Sequence, residues 1–367
     1  MKINCDGLSL SEATLKVIKA SGNRAVNPVL EGIKLTAKND ELILFATDKE
    51  LSIEKRIKAV VMEDGEVVVP GRLFSEFVKS LTNEEIEMSV NENNVIKIKY
   101  SENEAEFNCL ELEDYPKPRQ LKEENVIQIK GKSLKNLIQK TAFCAATDDA
   151  RPILKGCLFE KENGKLRAVC LDGYRMGIAE EPTGSEGRDC KIVVPVKSLN
   201  EIFKFIEEEE VDVFMMIENN FMMINFGTAT IMTTLLTGDF INYRQILPAH
   251  TETKVTVKKD GFDRALERAN LLSRADKSNY VLFEIEEKTI TISAKSELGT
   301  VTECLPMAMD GKDLDIKFNV RYVYEAIKAI NSDYIDISLN GSVNPCIIEA
   351  NDNKSCLYLI LPVRKCN

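Results

Sequence analysis

Three segments, "VVPGRLFSEFVKSL" (68–81), "VVPVKSLNEIFKFI" (193–206) and "KFNVRYVYEAIKAI" (317–330), are variants of one pattern set about 125 residues apart. Each time a β-favouring run leads into an amphipathic segment. Placing Arg72 over Lys197 and Arg321 superimposes the apolar positions. They are Phe74, Phe77, Val78 and Leu81; Leu199, Ile202, Phe203 and Ile206; and Val323, Ala326, Ile327 and Ile330. The spacing i, i+3, i+4, i+7 defines one buried helix face. Recurrence at this period means that the chain builds one domain three times.

The rest of each copy agrees. An earlier helical segment opens every copy, at 9–20, 133–145 and 261–273. Hairpins are expected over 31–48, 155–172 and 280–295, and a further strand pair follows each second helix. Each copy reads as two helices packed on antiparallel β-sheets, an α+β unit. Polar connectors at 116–125 and 247–254 give expected domains of 1–122, 126–248 and 252–367.

The polar faces of the helices repeat as well. The second helices carry Arg72, Glu76, Lys79; Lys197, Glu201, Lys204; and Arg321, Glu325, Lys328. Basic, acidic, basic at i, i+4, i+7 falls on one face, opposite the apolar stripe. In the first helices Lys16, Lys140 and Arg268 hold matching places. The chain carries a net charge of −11, yet each helical segment has more bases than acids. One use of such a face is a solvated surface laced with ion pairs. The charge separation favours another, because a basic face in an acidic chain attracts polyanions while the remaining surface repels them. No aromatic residues interleave the bases to stack single strands, so duplex phosphate, contacted without base readout, is the simpler ligand.

Little in the chain asks for catalysis. The single histidine, His250, lies in a polar connector. The glycine loops of nucleotide sites, the zinc-protease helix and the serine elbow are all missing from the sequence. Carboxylate pairs such as Asp148-Asp149 carry little weight among 59 acidic residues. The ten cysteines are scattered, as expected of reduced thiols in a cytoplasmic protein. No stretch reaches the roughly 18 apolar residues of a membrane span, and no signal peptide is expected.

Over its full length the chain resembles the bacterial DNA polymerase III beta-subunit family, the sliding clamps. The likeness is carried by "SGNRAVNPVLEGI", "VVPGRLF", "RPILKGCLFE", "LDGYRMGI", "GDFINYRQILP", "FNVRYVYEAI" and "YLILPVR". The resemblance implies a head-to-tail homodimer, each chain forming half of a closed ring of six domains. Helices would line the hole and sheets would form the outside. Such a ring encircles duplex DNA without sequence preference and tethers the replicative polymerase and other DNA-processing proteins. A clamp loader opens it, and it has no catalytic residue, metal or cofactor.

By matching motifs, Arg24, Arg72, Asp149 and Lys197 fall at or near family DNA-facing positions. They join Lys79, Lys140, Lys204, Arg268 and Arg321 from the repeated helix faces. A carboxylate at Asp149 would need water between itself and phosphate. The resemblance also implies a pocket for a short, glutamine-led peptide with a hydrophobic end. Its residues are Leu154; Leu171, Gly173, Tyr174, Arg175 and Met176; Ile241, Gln245 and Ile246; Asn319 and Tyr322; and Val343. The tail residues Ile360, Leu361, Pro362, Val363 and Arg364 complete it. Tyr174 stands where the family often has histidine, and Ile241 and Gln245 where it often has proline and arginine. Those departures bear on which peptides bind. Ring closure would set Leu271 and Leu272 of one subunit against Phe107 and Cys109 of the next. Two other classes compete: a three-repeat peptide-binding scaffold that leaves the basic faces unexplained, and a metal-dependent enzyme that lacks a convergent ligand set.

Overall fold

The computed structural model describes residues 1–22, 27–119, 121, 126–184, 188–206, 210–275 and 279–363. The first copy opens with β1 (Lys2–Asp6), α1 (Gly7–Val17), β2 (Gly32–Lys38), β3 (Glu41–Thr47), β4 (Leu51–Lys58), β5 (Val60–Glu63) and β6 (Gly65–Pro70). It ends with α2 (Gly71–Val78), β7 (Glu85–Val90), β8 (Val95–Tyr100) and β9 (Asn103–Asn108).

The second copy contains β10 (Val126–Lys130), α3 (Gly131–Thr141), β11 (Gly156–Glu162), β12 (Lys165–Leu171) and β13 (Arg175–Pro182). It continues with β14 (Cys190–Pro195), α4 (Val196–Phe205), β15 (Asp212–Glu218), β16 (Phe221–Asn225) and β17 (Ala229–Thr234). The third contains β18 (Thr253–Lys258), α5 (Lys259–Ala275), β19 (Tyr280–Glu286), β20 (Thr289–Ser296) and β21 (Gly299–Asp310). Then come β22 (Leu314–Asn319), α6 (Val320–Ala329), β23 (Tyr334–Leu339), β24 (Cys346–Ala350) and β25 (Cys356–Ile360).

The helices form where the periodicity sets them. Phe74, Val78 and Leu81 of the first copy are buried, as are Leu199, Ile202 and Ile206 of the second. Val323, Ala326, Ile327 and Ile330 bury the same stripe in the third. Burying each of the larger of these side chains contributes about 1.5–3 kcal/mol, far more than helix propensity. Side-chain caps add order: Asp6 accepts from the Ser9 backbone N–H at 2.8 Å, and Asn319 from that of Arg321 at 3.0 Å. At Gly7 a Cβ would lie 1.9 Å from the Leu81 carbonyl oxygen, so the start of α1 can approach the segment that follows α2 only without a side chain.

One compact unit comprises 1–131 with 201–235, and another comprises 132–200 with 236–367. The first holds a five-stranded sheet, β5-β1-β7-β8-β9, and an eight-stranded sheet, β10-β15-β16-β17-β4-β3-β2-β6. The second holds a twelve-stranded sheet, β14-β11-β12-β13-β25-β24-β23-β18-β21-β20-β19-β22. Strand pairing is antiparallel at both places where sheets run from one copy into the next. β4 pairs with β17, Leu51 opposite Thr233. β13 pairs with β25, Arg175 opposite Ile360. Strand β9 ends its sheet. In β21, residues from Gly299 to Pro306 pair with β20, and pairing with β18 begins only at Met307. Among the described residues no helix is long and apolar enough to cross a membrane.

Candidate functional site

The basic faces come first. Pro70 closes β6 and α2 starts at Gly71, which leaves Arg72 exposed on the first turn with Nε 3.1 Å from Glu76 Oε1. Lys204 Nζ lies 2.8 Å from Glu201, and Arg321 Nε 2.8 Å from Glu325. In each triplet the central acid is therefore held by one base of its own helix. The Arg72–Glu76 pair is exposed on both sides, and pairs of that kind contribute only about 0.3–0.5 kcal/mol. In the other two the base is exposed and the acid mostly covered. Lys79 and Lys197 are exposed as well.

The first helices differ from the sequence expectation. The Lys140 side chain is only 16% exposed, its Nζ 3.8 Å from Glu181 Oε1 and 3.4 Å from Ser355 Oγ. It is committed to the sheet beneath, which leaves it less available to an outside ligand. Arg268 binds both oxygens of Glu303, at 2.6 and 2.8 Å, and that pairing holds the Glu303 carboxyl below its ordinary range. Asp149 pairs with Lys155. A neighbouring ammonium balances this carboxylate. Arg24 lies outside the described residues.

The expected pocket residues separate into a floor and a rim. Leu154, Leu171 and Met176 are buried with Leu158, Val169, Phe240 and Leu359, and Ile241 and Leu361 pack partly buried against them. Tyr174, Ile246, Val343 and Val363 are exposed large apolar side chains, and Gln245 is exposed beside Ile246. Ile360 is fully buried as the strand partner of Arg175, so it supports the floor from within. Pro362 is half-buried, and Arg364 lies outside the described residues.

An Asp-Gly turn shapes the rim. Gly173 has φ +92°, which a side chain would strain, and Asp172 Oδ1 accepts the backbone N–H groups of Tyr174 at 2.8 Å and Arg175 at 2.9 Å. The tail is fastened to this turn, because the Leu361 N–H donates to the Tyr174 carbonyl at 2.9 Å. The Val363 N–H donates to the Lys317 carbonyl at 2.8 Å. Arg175 is a buried strut rather than a free pocket cation. Its guanidinium bonds Asp172 Oδ2 at 3.1 Å, the Phe143 carbonyl and Glu325, and lies 4.5 Å from the centroid of the Tyr322 ring. Tyr322 stacks on Tyr174 with centroids 6.4 Å apart, and burial beside Asp172 pushes its phenol above the ordinary value. Asn319 is the α6 cap.

Sequence reasoning missed the groups that hold this site: Asp172, Glu325, Glu160 and Tyr243. Asp172 carries an Asp-Gly turn signal. Glu325 was visible only as the acid of a helix triplet, and Glu160 has no local signal at all. Among the described residues no group of three or more histidine, cysteine or acidic side chains is arranged to hold a metal.

Of the expected closure residues, Leu271 alone is exposed. Phe107 is half-buried on edge strand β9, its ring edge-on to Phe77 at 5.1 Å, and Cys109 is half-buried next to it. Leu271 on α5 is 67% exposed, and Leu272 half-buried.

Family comparisons cover the chain almost end to end. Models of the N-terminal, central and C-terminal domains of the DNA polymerase III beta subunit match residues 1–119, 128–242 and 244–364. A beta sliding clamp of Staphylococcus epidermidis is 30% identical over 357 residues, 95% of each chain. One from Staphylococcus aureus is likewise 30% identical over 357 residues, again 95% of each chain. The crystal structure of the Bacillus subtilis DNA polymerase sliding clamp superposes with TM-score 0.96 at 29% identity, covering 100% of this chain and 99% of that one. The DNA polymerase beta subunit of Streptococcus pyogenes superposes with TM-score 0.93 at 26% identity, covering 100% of both chains.

Proposed function

The chain belongs to the DNA polymerase III beta-subunit family, and from that premise we propose that it acts as a sliding clamp. In this reading it is a non-catalytic processivity factor. It encircles duplex DNA and tethers the replicative polymerase and other DNA-processing proteins.

The observation that carries the reading is the recurrence of one sheet junction. Strand β4 of the first copy meets β17 of the second, and β13 of the second meets β25 of the third. Leu51 opens β4, Arg175 opens β13 and Gly299 opens β21, while β9, β17 and β25 are the last strands of their copies. Continuing the series joins β9 of one subunit to the first half of β21 of another. Two such joints close two chains into a ring of six domains. Pairing of this kind removes exposed edges that would otherwise recruit other strands. The apolar Phe107, Cys109, Leu271 and Leu272 belong to this joint.

Within the ring Arg72, Lys79, Lys197, Lys204 and Arg321 face phosphate. Contacts of that kind are weak, salt-sensitive and blind to sequence, so the ring slides. Retention comes from closure, and opening is the work of a clamp loader. Partner peptides dock on the rim formed by Tyr174, Ile246, Val343 and Val363, above the floor of Leu154, Leu171 and Met176. Nine free cysteines among the described residues suit a reducing cytoplasm.

The test is topological. Loaded by a clamp loader and ATP onto nicked circular DNA, the protein should stay bound through gel filtration and leave when the circle is cut once. Equal retention on cut and uncut DNA would contradict encirclement.

A further inference from the structure

Glu325 touches both proposed surfaces. Its Oε1 accepts from Arg321 Nε at 2.8 Å, on the exposed face of α6, and its Oε2 accepts from Arg175 Nη1 beneath the groove. The Arg321 side chain is 61% exposed and that of Arg175 only 6%. From Arg175 the contacts run outward through Tyr322 to Tyr174 at the rim. A continuous line of side chains thus leads from a basic helix face to the partner groove.

The repeat supplies internal comparisons. Glu76 and Glu201 hold the place of Glu325 in the other copies, and they pair with Arg72 and Lys204 of their own helices. The strand position matching Arg175 is the first residue of β4, the buried and apolar Leu51. An arginine for the helix carboxylate to reach is therefore present at the β13–β25 junction and replaced by leucine at the β4–β17 junction.

We propose that Glu325 is a positioning residue of the groove: it fixes the Tyr174–Tyr322 stack through Arg175, and duplex phosphate at Arg321 reinforces that fixing. The inference rests on the clamp reading and deepens it. A carboxylate shared by two guanidinium groups divides its hydrogen bonds between them. Arg321 is the exposed and weakly held partner, so phosphate takes it first. Both oxygens of Glu325 are then available to the buried Arg175, and bidentate pairing is the stronger geometry. Arg175 is thereby locked against Tyr322, and the rim is pre-shaped for peptide. Coupling is reciprocal, so bound peptide favours phosphate at Arg321 by the same factor.

The probe is a fluorescein-labelled synthetic peptide led by glutamine and ending on two apolar residues, titrated by anisotropy with and without a short DNA duplex at low salt. Glu325→Gln should weaken peptide binding about tenfold, the loss expected for a hydrogen bond to a charged group. Arg321→Ala should keep or tighten it, because the competitor is gone. Saturating duplex should tighten peptide binding to the unsubstituted protein about fivefold, with no response in Arg321→Ala. Peptide affinities of both variants within twofold of the parent would overturn the inference, and so would equal weakening of both. Duplex that leaves the parent affinity unmoved would do the same. Should Glu325→Gln fold poorly, Arg321→Ala, altered on an exposed side chain, still carries the test. A parent protein that binds neither probe refutes the clamp reading itself, which separates the two failures.

Discussion

The Tyr243 hydroxyl donates a 2.6 Å hydrogen bond to Glu160 Oε2, tying the segment between the second and third copies down onto β11. Arg244 Nη2 reaches the same oxygen at 3.0 Å, and Lys191 Nζ lies 3.6 Å from Oε1. Ile241 and Ile246 flank this anchor, so their placement depends on a buried carboxylate.

Glu160 should therefore register in the pH dependence of stability. Burial pushes its pKa up, but the Tyr243 hydroxyl, Arg244 and Lys191 outweigh burial and hold it below the usual carboxylate range. A depressed folded pKa stabilises the protein above the unfolded value of about 4.3, and that contribution is lost as pH falls through the lower folded value. Glu160→Gln should cost about 1–3 kcal/mol at neutral pH and flatten the acid side of the stability profile. Denaturant unfolding across a pH series checks this, and an unchanged acid side would contradict it.

The helix bases should differ in weight. Alanine at Arg72, Lys197 or Arg321 should each lower DNA retention and reduce the salt slope by about one. Lys140→Ala should change both less, because that side chain is already committed to Glu181 and Ser355. Salt titrations of retention on circular DNA would show it. A Lys140 effect equal to that of Lys197 would mean that Lys140 leaves its sheet contacts on DNA.

The proposed groove should be blocked by a substitution at half-buried Leu361 that spares the core. Leu361→Asp sets a charge against the apolar floor while leaving the backbone bond from residue 361 to the Tyr174 carbonyl in place. Peptide affinity should fall at least tenfold, about 1.4 kcal/mol, with the oligomer intact by sedimentation. Met176→Asp is a poorer variant, since Met176 is 2% exposed and a buried carboxylate there would destabilise the fold.

The repeat, the helix faces and the paired hairpins were legible in the sequence because they rest on local period and turn residues. What escaped depends on distant partners. Strand β13 begins "RMGIA" and buries all five residues, so it shows no alternation, and its pairing with β25 joins positions such as Arg175 and Ile360 far apart in the chain. Pairing of that range leaves no periodic trace. A motif can name site positions, but it says nothing of the partners that set their states. Arg175, expected in the pocket, is a buried strut, Lys140, expected on a DNA-facing helix, pairs with Glu181, and Asp149 is balanced by Lys155. Each outcome turns on a partner that no spacing rule specifies.

The joint between subunits should be sensitive at Leu271. This side chain is largely exposed in the single chain, so Leu271→Asp should leave thermal stability of the fold nearly unchanged while weakening assembly. Self-association that persists undiminished would place the joint elsewhere.

Light scattering across a dilution series tests the two-chain ring most directly. The account predicts a stable species of twice the 41.2 kDa chain, shifted toward the single chain by Leu271→Asp. A 41.2 kDa species at every concentration would leave both joint edges open, and encirclement of DNA would be contradicted.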